Sequence, residues 1–490
     1  LCSLALGFVG SSATGEDLVS MRLMGDLIVD GGLEIVVFDS AHDRLHAIGS
    51  AGRYVIDFRT DGPPVVASRH RFVQDQRWDA TSIVVDPAGR GFAAVSWVPE
   101  RSDAAPGRAQ IIDLETGDPV GDFAIGYQPD CLVFSPDGSM LYAANEGEPF
   151  DTNRLGAITI ADLGSIESPD DFFGFDAIQT YTFEERFLAE GLDLSPLRVR
   201  PEFSDEPSID IEPEYIAPAE GGAWVALQEN NALAYFDLGS RSWTRLIPLG
   251  VLAFPFDVSE TDGPRLHSGR GFGLLPLPDS IALFESEDQR FIVTANEGEK
   301  LERRELRLSE AIEQGRIDPE RVAQLRAAFG DLEARGIDQL YISTIDGDLD
   351  GDGDIDQLCV QGGRSVSIYN ELTGMLVWNS GSQIELVTGM LFPDRYNQGD
   401  SRSDRAGPEP EGIAIQEHQG RTLMAIGLER TSAVMLYDIT EPEAPELLDA
   451  VALSTGCAGP EGLAFFTRND RLHLAVASEV GGCLSVYVIE

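Results

Sequence analysis

The chain has 490 residues, 43% of them hydrophobic, with 51 glycines and 27 prolines; this is enough apolar content for a sizeable core, and the turn density of an all-β protein. Its 35 basic and 83 acidic residues leave a formal charge of −48, which repels nucleic acid and anionic lipid and favours high salt or bound divalent cations. Lys300 is the only lysine, so Schiff-base and P-loop chemistry, which need a positioned lysine, are set aside.

Residues 1–9 form a short apolar run followed by Gly10-Ser11-Ser12-Ala13. This has the shape of an h-region and a small-residue cleavage zone, so 1–15 reads as the remnant of a signal peptide and the chain as secreted. The run is too short to span a membrane.

From residue 31 the chain repeats one unit, clearest at 407–438. There Ile413 and Ile415 give the period-2 signature of a half-buried strand, 417–420 is turn chemistry, 422–428 is the return strand, 429–432 turns again and 433–437 is a third strand. In chain order the copies fall at 31–58, starting at Glu34, and at 78–114, neither with an acid on its second strand. Others run from Asp130 to Glu146 and, after a loop insert at 164–208, from Glu214 to Glu229. The last three run from Asp279 to Glu297, Glu411 to Glu429 and Glu461 to Glu479. Each unit is too small to bury a face alone, so seven of them predict a ring: a single seven-bladed β-propeller over 31–490, expected to be monomeric.

The fifth blade is split by a helical insert at 300–336, with Asp318 as N-cap, Pro319 at the first helical position and Gly336 as the stop. Val322, Leu325, Phe329 and Leu332 recur at helical spacing and predict packing against the propeller. At 346–356 the chain has calcium-loop spacing. Asp348, Asp350, Asp352, Asp354 and Asp356 stand at loop positions 1, 3, 5, 7 and 9, Gly353 at 6 and Ile355 at 8. Position 12 is Cys359 instead of a bidentate Glu, so another carboxylate or water must complete the shell. The alternative is a solvated Asp-Gly loop. Five cysteines, Cys2, Cys131, Cys359, Cys457 and Cys483, do not make a disulfide framework at this size, although the last two share the final unit and can pair. No zinc spacing, GxSxG or HExxH motif occurs.

A hairpin brings the end of its second strand back beside the start of its first, so each acid pair should share one face. Converging blades would gather Asp130 with Glu146, Glu214 with Glu229, Asp279 with Glu297, Glu411 with Glu429 and Glu461 with Glu479 into a ring of carboxylates at one end of the channel. Such a ring suits Ca²⁺ or Mg²⁺ and has room for a second divalent ion. Arg430 beside Glu429, with Arg270, offers a guanidinium clamp for phosphate.

IEPEYIAPAEGGAWVALQENNALAYFDL, PDSIALFESEDQRFIVTANEGE, DGDLDGDGDIDQLCVQGGRSVSIYNELTG and GPEPEGIAIQEHQGRTLMAIGLERTSAVMLYDIT resemble the choice-of-anchor I family of secreted propellers. That family includes bacterial surface proteins, cyanobacterial proteins described as atypical alkaline phosphatases, and animal mesenchyme-specific cell surface glycoproteins. The resemblance runs from about residue 31 to the last strand and implies a fold and an extracellular setting. Many relatives carry a sorting signal or C-terminal anchor, and none is read here, so how or whether the chain is attached to a surface stays open. Two functions are compatible with the residues. One is a calcium-dependent phosphomonoesterase with the acids as metal ligands and Arg430 and Arg270 as phosphate clamp. The other is a non-catalytic propeller, stiffened by calcium, whose face binds a matrix polymer or a surface partner. A third role for the acid pairs is structural, capping blade corners through backbone N–H groups.

Overall fold

The computed structural model describes residues 19–50, 52–58, 62–70, 78–99, 105–148, 154–299 and 304–490. The signal-peptide reading of 1–15 and the start of the insert lie outside them. Seven four-stranded antiparallel sheets follow one another along the chain. Their first strands, Val36–Asp39, Trp78–Val85, Pro129–Phe134, Pro213–Ala219, Ile281–Ser286, Pro410–His418 and Ala458–Arg468, each neighbour the next, and the seventh returns to the first. The first strands therefore line the axis of a closed ring, a seven-bladed β-propeller.

Each blade holds one strand more than the three-strand unit read from the sequence. The fourth strands, such as Ile178–Thr182 in the third blade and Glu446–Ala452 in the sixth, lie at the outer edge. Ile178–Thr182 falls within the 164–208 stretch read as a loop, which corrects that reading. The seventh blade takes its outer strand from the other end of the chain. Met21–Ile28, placed by the sequence reading before the first blade, pairs antiparallel with Cys483–Ile489, from Met21 opposite Ile489 to Ile28 opposite Cys483. This joins the chain ends by backbone hydrogen bonds and so closes the circle.

Cys457 and Cys483 are disulfide-bonded across 26 residues within the same blade. Closing a loop of that length restricts the unfolded chain, so reduction is expected to cost about 3 kcal/mol of stability. The readout is the denaturation midpoint with and without dithiothreitol, and an unchanged midpoint would remove the disulfide from the account of closure.

Between the second and third strands of the fifth blade, Gln289–Asn296 and Ser365–Asn370, the insert folds around a core of its own. Leu308, Leu325, Phe329, Leu332, Ile337 and Ile355 pack with Phe256, Phe272 and Leu274 of the preceding segment, and Phe272–Leu275 pairs parallel with Leu358–Gln361. Of the expected stripe, Leu325, Phe329 and Leu332 are buried and Val322 is half-buried, but they pack into this separate core instead of against the propeller blades, and Asp318 caps the Pro319–Phe329 helix by accepting from the amides of Glu320 and Arg321.

Candidate functional site

The acid at the head of each repeat stands where the innermost ladder is interrupted. In the sixth blade Pro410 pairs with Leu428, and pairing resumes only at Ile413 with Ile426. The same slip follows Pro129, Pro213 and Pro460. The residues left out of register are bulged, and Asp130, Glu214, Glu411 and Glu461 are the first of them. The second acid follows the end of the return pairing in two blades, Glu146 after Asn145 and Glu429 after Leu428, whereas Glu479 lies between Ser478, paired with Pro460, and Val480, paired with Ala458. A two-residue motif, proline then acid, thus sets a side chain free at the axial end of every blade that carries it.

These acids meet across blades. Ligand oxygens of Asp130, Glu146 and Glu214 lie within 4.8 Å of one another, as do those of Glu146, Glu212 and Glu229, of Asp279, Glu297 and Glu411, and of Glu34, Glu461 and Glu479. Burial pushes Asp130, Asp279, Glu34, Glu212 and Glu429 up to about 7. It pushes Glu146, Glu214, Glu229, Glu297, Glu411 and Glu461 well above the carboxylate range, and for these six the next cause is a neighbouring carboxylate. Glu461 feels Asp279 and Glu411 feels Glu461, so blades five, six and seven share one field.

Buried oxygens of Asp130 (Oδ2), Glu229 (Oε2) and Glu411 (Oε2) have no hydrogen-bond donor, and Glu229 is only 7% exposed. A buried acceptor without a donor is costly, and a hard cation is the partner that several such oxygens fit together. Among the described residues no backbone N–H donates to Asp130, Glu146, Glu214, Glu411 or Glu461, which argues against corner capping for those five.

The second blade interrupts the ring. Thr81 stands there, its hydroxyl 2.5 Å from the carbonyl of Pro129 and 2.8 Å from the Ser96 hydroxyl. Three acids of the cluster escaped the sequence reading of the site. Glu34 heads the first repeat just as Glu411 heads the sixth, but no second acid in that repeat marks it as one of a pair. Glu212 precedes the Pro213-Glu214 pair. Glu409, 1% exposed, precedes Pro410, and its carbonyl accepts from the amide of Glu429 at 3.0 Å.

The two arginines proposed as a clamp are not brought together. Arg430 is held by carboxylates, its Nε donating to Glu409 and its Nη1 to Glu429, each at 2.5 Å. It borders a cavity of about 230 Å³ lined also by Glu297, Glu299, Glu305, Tyr341, Arg402, Arg405 and Glu409. Arg270 borders a different cavity, about 500 Å³, beside Arg321, Gln324 and Leu325 of the insert helix. The turn that carries it wraps that helix, with Gly271 at positive φ against Arg321.

In the acidic loop at 346–356 the carboxylates fold back on the loop's own amides. Asp348 accepts from Gly351 at 2.7 Å and Gly353 at 3.0 Å, Asp350 from Asp352, Asp352 from Asp354, and Asp356 from Leu349. Ile355 is buried and bridges to Ile317. Cys359 is buried against Leu275 and Leu277, and burial pushes its thiol up to about 12, so it stays protonated and is a poor twelfth ligand. Arg198 ties this loop to the ring, with Nε on Asp346 and Nη1 on the carbonyl of Glu229, both at 2.8 Å.

A family model described as "Choice-of-anchor I domain" matches residues 34–442. The chain is 26% identical over 234 residues to a mesenchyme-specific cell surface glycoprotein of Strongylocentrotus purpuratus, covering 40% of this chain and 30% of that protein. It is 30% identical over 124 residues to gigasin-3a of Magallana gigas, covering 23% of this chain and 43% of that one. Each match thus spans less than half of the relative's length. Among solved structures, the Myceliophteria thermophila Cps50 (Swd1) β-propeller domain aligns with a TM-score of 0.49 at 10% identity, over 96% of this chain and all of that one. A chain of the mitotic checkpoint complex aligns at 0.48 and 10%, over 98% of each. No helix among the described residues is long and apolar enough to cross a membrane.

Proposed function

This chain belongs to the choice-of-anchor I family, and on that footing we propose that it is an extracellular propeller that binds divalent cations, calcium first, at the carboxylate ring, and hydrolyses phosphate monoesters there. The observation that carries the reading is the trio of Asp279, Glu297 and Glu411, whose oxygens lie within 4.8 Å of one another in buried surroundings, one Glu411 oxygen having no donor. Asp130, Glu146, Glu214 and Glu229 would hold a second ion, and Glu461 and Glu479 with Glu34 a third. Asp348, Asp350, Asp352, Asp354 and Asp356 would hold calcium in the surface loop. A bound cation offers Lewis-acid stabilisation to a phosphoryl oxygen. The chain's own contribution is to gather the oxygens on bulged strands, keep them from water, and balance Glu409 and Glu429 with Arg430.

The reading is tested by the divalent-metal content of the purified protein, together with p-nitrophenyl phosphate turnover before and after chelation. Turnover that depends on the metal supports it, and none with any divalent ion at any pH removes the enzymatic half. Non-catalytic binding of a surface or matrix partner then stands, a reading that the name of the sea-urchin relative favours. Glu411→Gln should weaken cation binding by at least roughly tenfold, since it removes one charged ligand of a small set. It should also raise the stability of the cation-free protein at pH 8, because the neutral amide is isosteric and ends a buried repulsion. A variant that instead fails to fold would mark Glu411 as a structural corner.

A further inference from the structure

We infer that Arg405, stacked on Tyr341 of the insert, is the group that grips the phosphoryl end of a phosphate monoester at this site, which makes the insert part of the substrate pocket; the inference rests on the cation reading above.

Among the described residues three guanidinium groups line the cavity beside Glu297, and two are already engaged. Arg402 donates from Nε and Nη2 to one oxygen of Glu409, at 2.7 and 2.5 Å, and Arg430 donates to the other oxygen and to Glu429. Arg405 is different. Among the described residues its one carboxylate contact is Nε to Asp404 at 3.5 Å, longer than a good N–H···O bond, and Asp404 is shared with Arg307 at 3.4 Å. Its side chain is 44% exposed. The guanidinium lies 4.7 Å from the ring centre of Tyr341, against which Arg307 also sits at 4.5 Å. Stacking on a ring fixes the plane of a guanidinium and leaves the donors at its edge available for a planar or forked acceptor.

The backbone beneath Arg405 is held in place. Arg364, fully buried, donates to the carbonyls of Ser403 and Arg405 while its Nη1 is bound by Glu385 at 2.8 Å. The Arg405 amide in turn donates to the Arg402 carbonyl at 3.0 Å. Such a guanidinium is oriented before any ligand arrives. Glu297 belongs both to the trio with Asp279 and Glu411 and to the cavity wall, so a cation on the trio and the edge of Arg405 face the same space. A monoester dianion has enough terminal oxygens to contact both. Glu299 and Glu305 also line the space, and their charge disfavours an anion unless a divalent cation is already present. Binding should therefore be ordered, cation first.

The test is calorimetric titration of inorganic phosphate into the calcium-saturated full chain, comparing the native protein with Arg405→Met and Arg405→Lys. Expected are calcium-dependent binding by the native protein, at least roughly tenfold weaker binding by Arg405→Met and a smaller loss for Arg405→Lys, which keeps the charge but not the fork. Calcium stoichiometry and melting temperature should be unchanged in the Lys variant, which carries the test if the Met variant does not fold. Equal affinity in the native protein and both variants overturns the inference, as does phosphate binding without calcium. If the native protein holds its calcium but no phosphate, the inference falls while the cation reading stands. If it holds no cation, the reading beneath fails, and the calcium titration that precedes phosphate reveals that first.

Discussion

Stripping divalent cations at pH 8 is expected to lower the melting temperature by of order 10 °C, and acidifying the stripped protein to pH 5 is expected to restore most of the loss. The reason lies in the sign of the shifts around the ring. Asp130 and Asp279 move from 3.8 to about 7 on folding, Glu34 and Glu429 from 4.5 to about 7, and Glu214, Glu297, Glu411 and Glu461 move well above 4.5. A carboxyl whose folded pKa is raised binds its proton more tightly in the native state. Its contribution is fully present below the unfolded value near 4 and is lost as pH rises through the folded value near 7. Each unit corresponds to about 1.4 kcal/mol, and the coupled groups total less than their sum.

A net of roughly 10 kcal/mol, set against an unfolding entropy near 1 kcal/mol/K for a chain this long, gives the stated shift. Calcium replaces the proton as the neutralising partner, so the cation-loaded protein should show little dependence on pH between 5 and 8. Thermal scans across that range with and without chelator measure both slopes. A stripped protein whose stability is flat or rises with pH would sink the cation ring, and repeating the scans in monovalent salt separates the local cluster from the diffuse charge of −48.

The second large effect concerns Arg364. Its guanidinium has no exposed surface and serves Glu385, the carbonyls of Asp257 and Ser403, and that of Arg405. Arg364→Met leaves Glu385 charged in the interior and three carbonyls without their donor, a loss of about 3 to 5 kcal/mol. Arg364 itself sits at φ 50°, a left-handed backbone that a side-chain-bearing residue adopts at some cost, so the contacts it makes outweigh that strain. Adding Glu385→Gln to Arg364→Met should recover part of the loss, because it removes the stranded charge. Chemical denaturation of the two single variants and the double variant gives the coupling, and simple additivity would deny the pair any special role.

The ring was legible because Pro-Asp or Pro-Glu recurs with a second acid at a fixed distance, a pattern carried by inner strands that must pack on both faces. The outer strands carry no such mark. Glu446–Ala452 has an exposed or half-buried side chain at every position, so neither face imposes the alternation that a sequence reading relies on. Met21–Ile28 escaped for another reason, since its partner lies at the far end of the chain and no local pattern encodes that pairing. Cys457 and Cys483 were readable as a pair because both fall in one hairpin repeat. Arg430 and Arg270 border separate cavities, and competition for the guanidinium accounts for the first. A guanidinium beside two buried carboxylates is taken by them first, and Arg270 belongs to a turn wrapped round a helix whose packing the repeat does not specify. The setting of Arg405 is not legible without the fold, because Tyr341, the ring it sits on, is more than sixty positions away.

The pairing of Met21–Ile28 with Cys483–Ile489 leaves Ser20 and Glu490 hydrogen-bonded to each other, at 2.9 and 3.0 Å. Tension applied between flanking sequences would reach the ring at that one point and peel the two strands apart a rung at a time, a path of low resistance compared with sliding them lengthwise. Force arriving through a ligand held at the axial mouth would load the innermost strands instead. Under such tension the perimeter pairing is the expected first point of opening, and a circular permutant that joins residues 20 and 490 through a short linker and opens an outer turn elsewhere would move that point without touching the carboxylates.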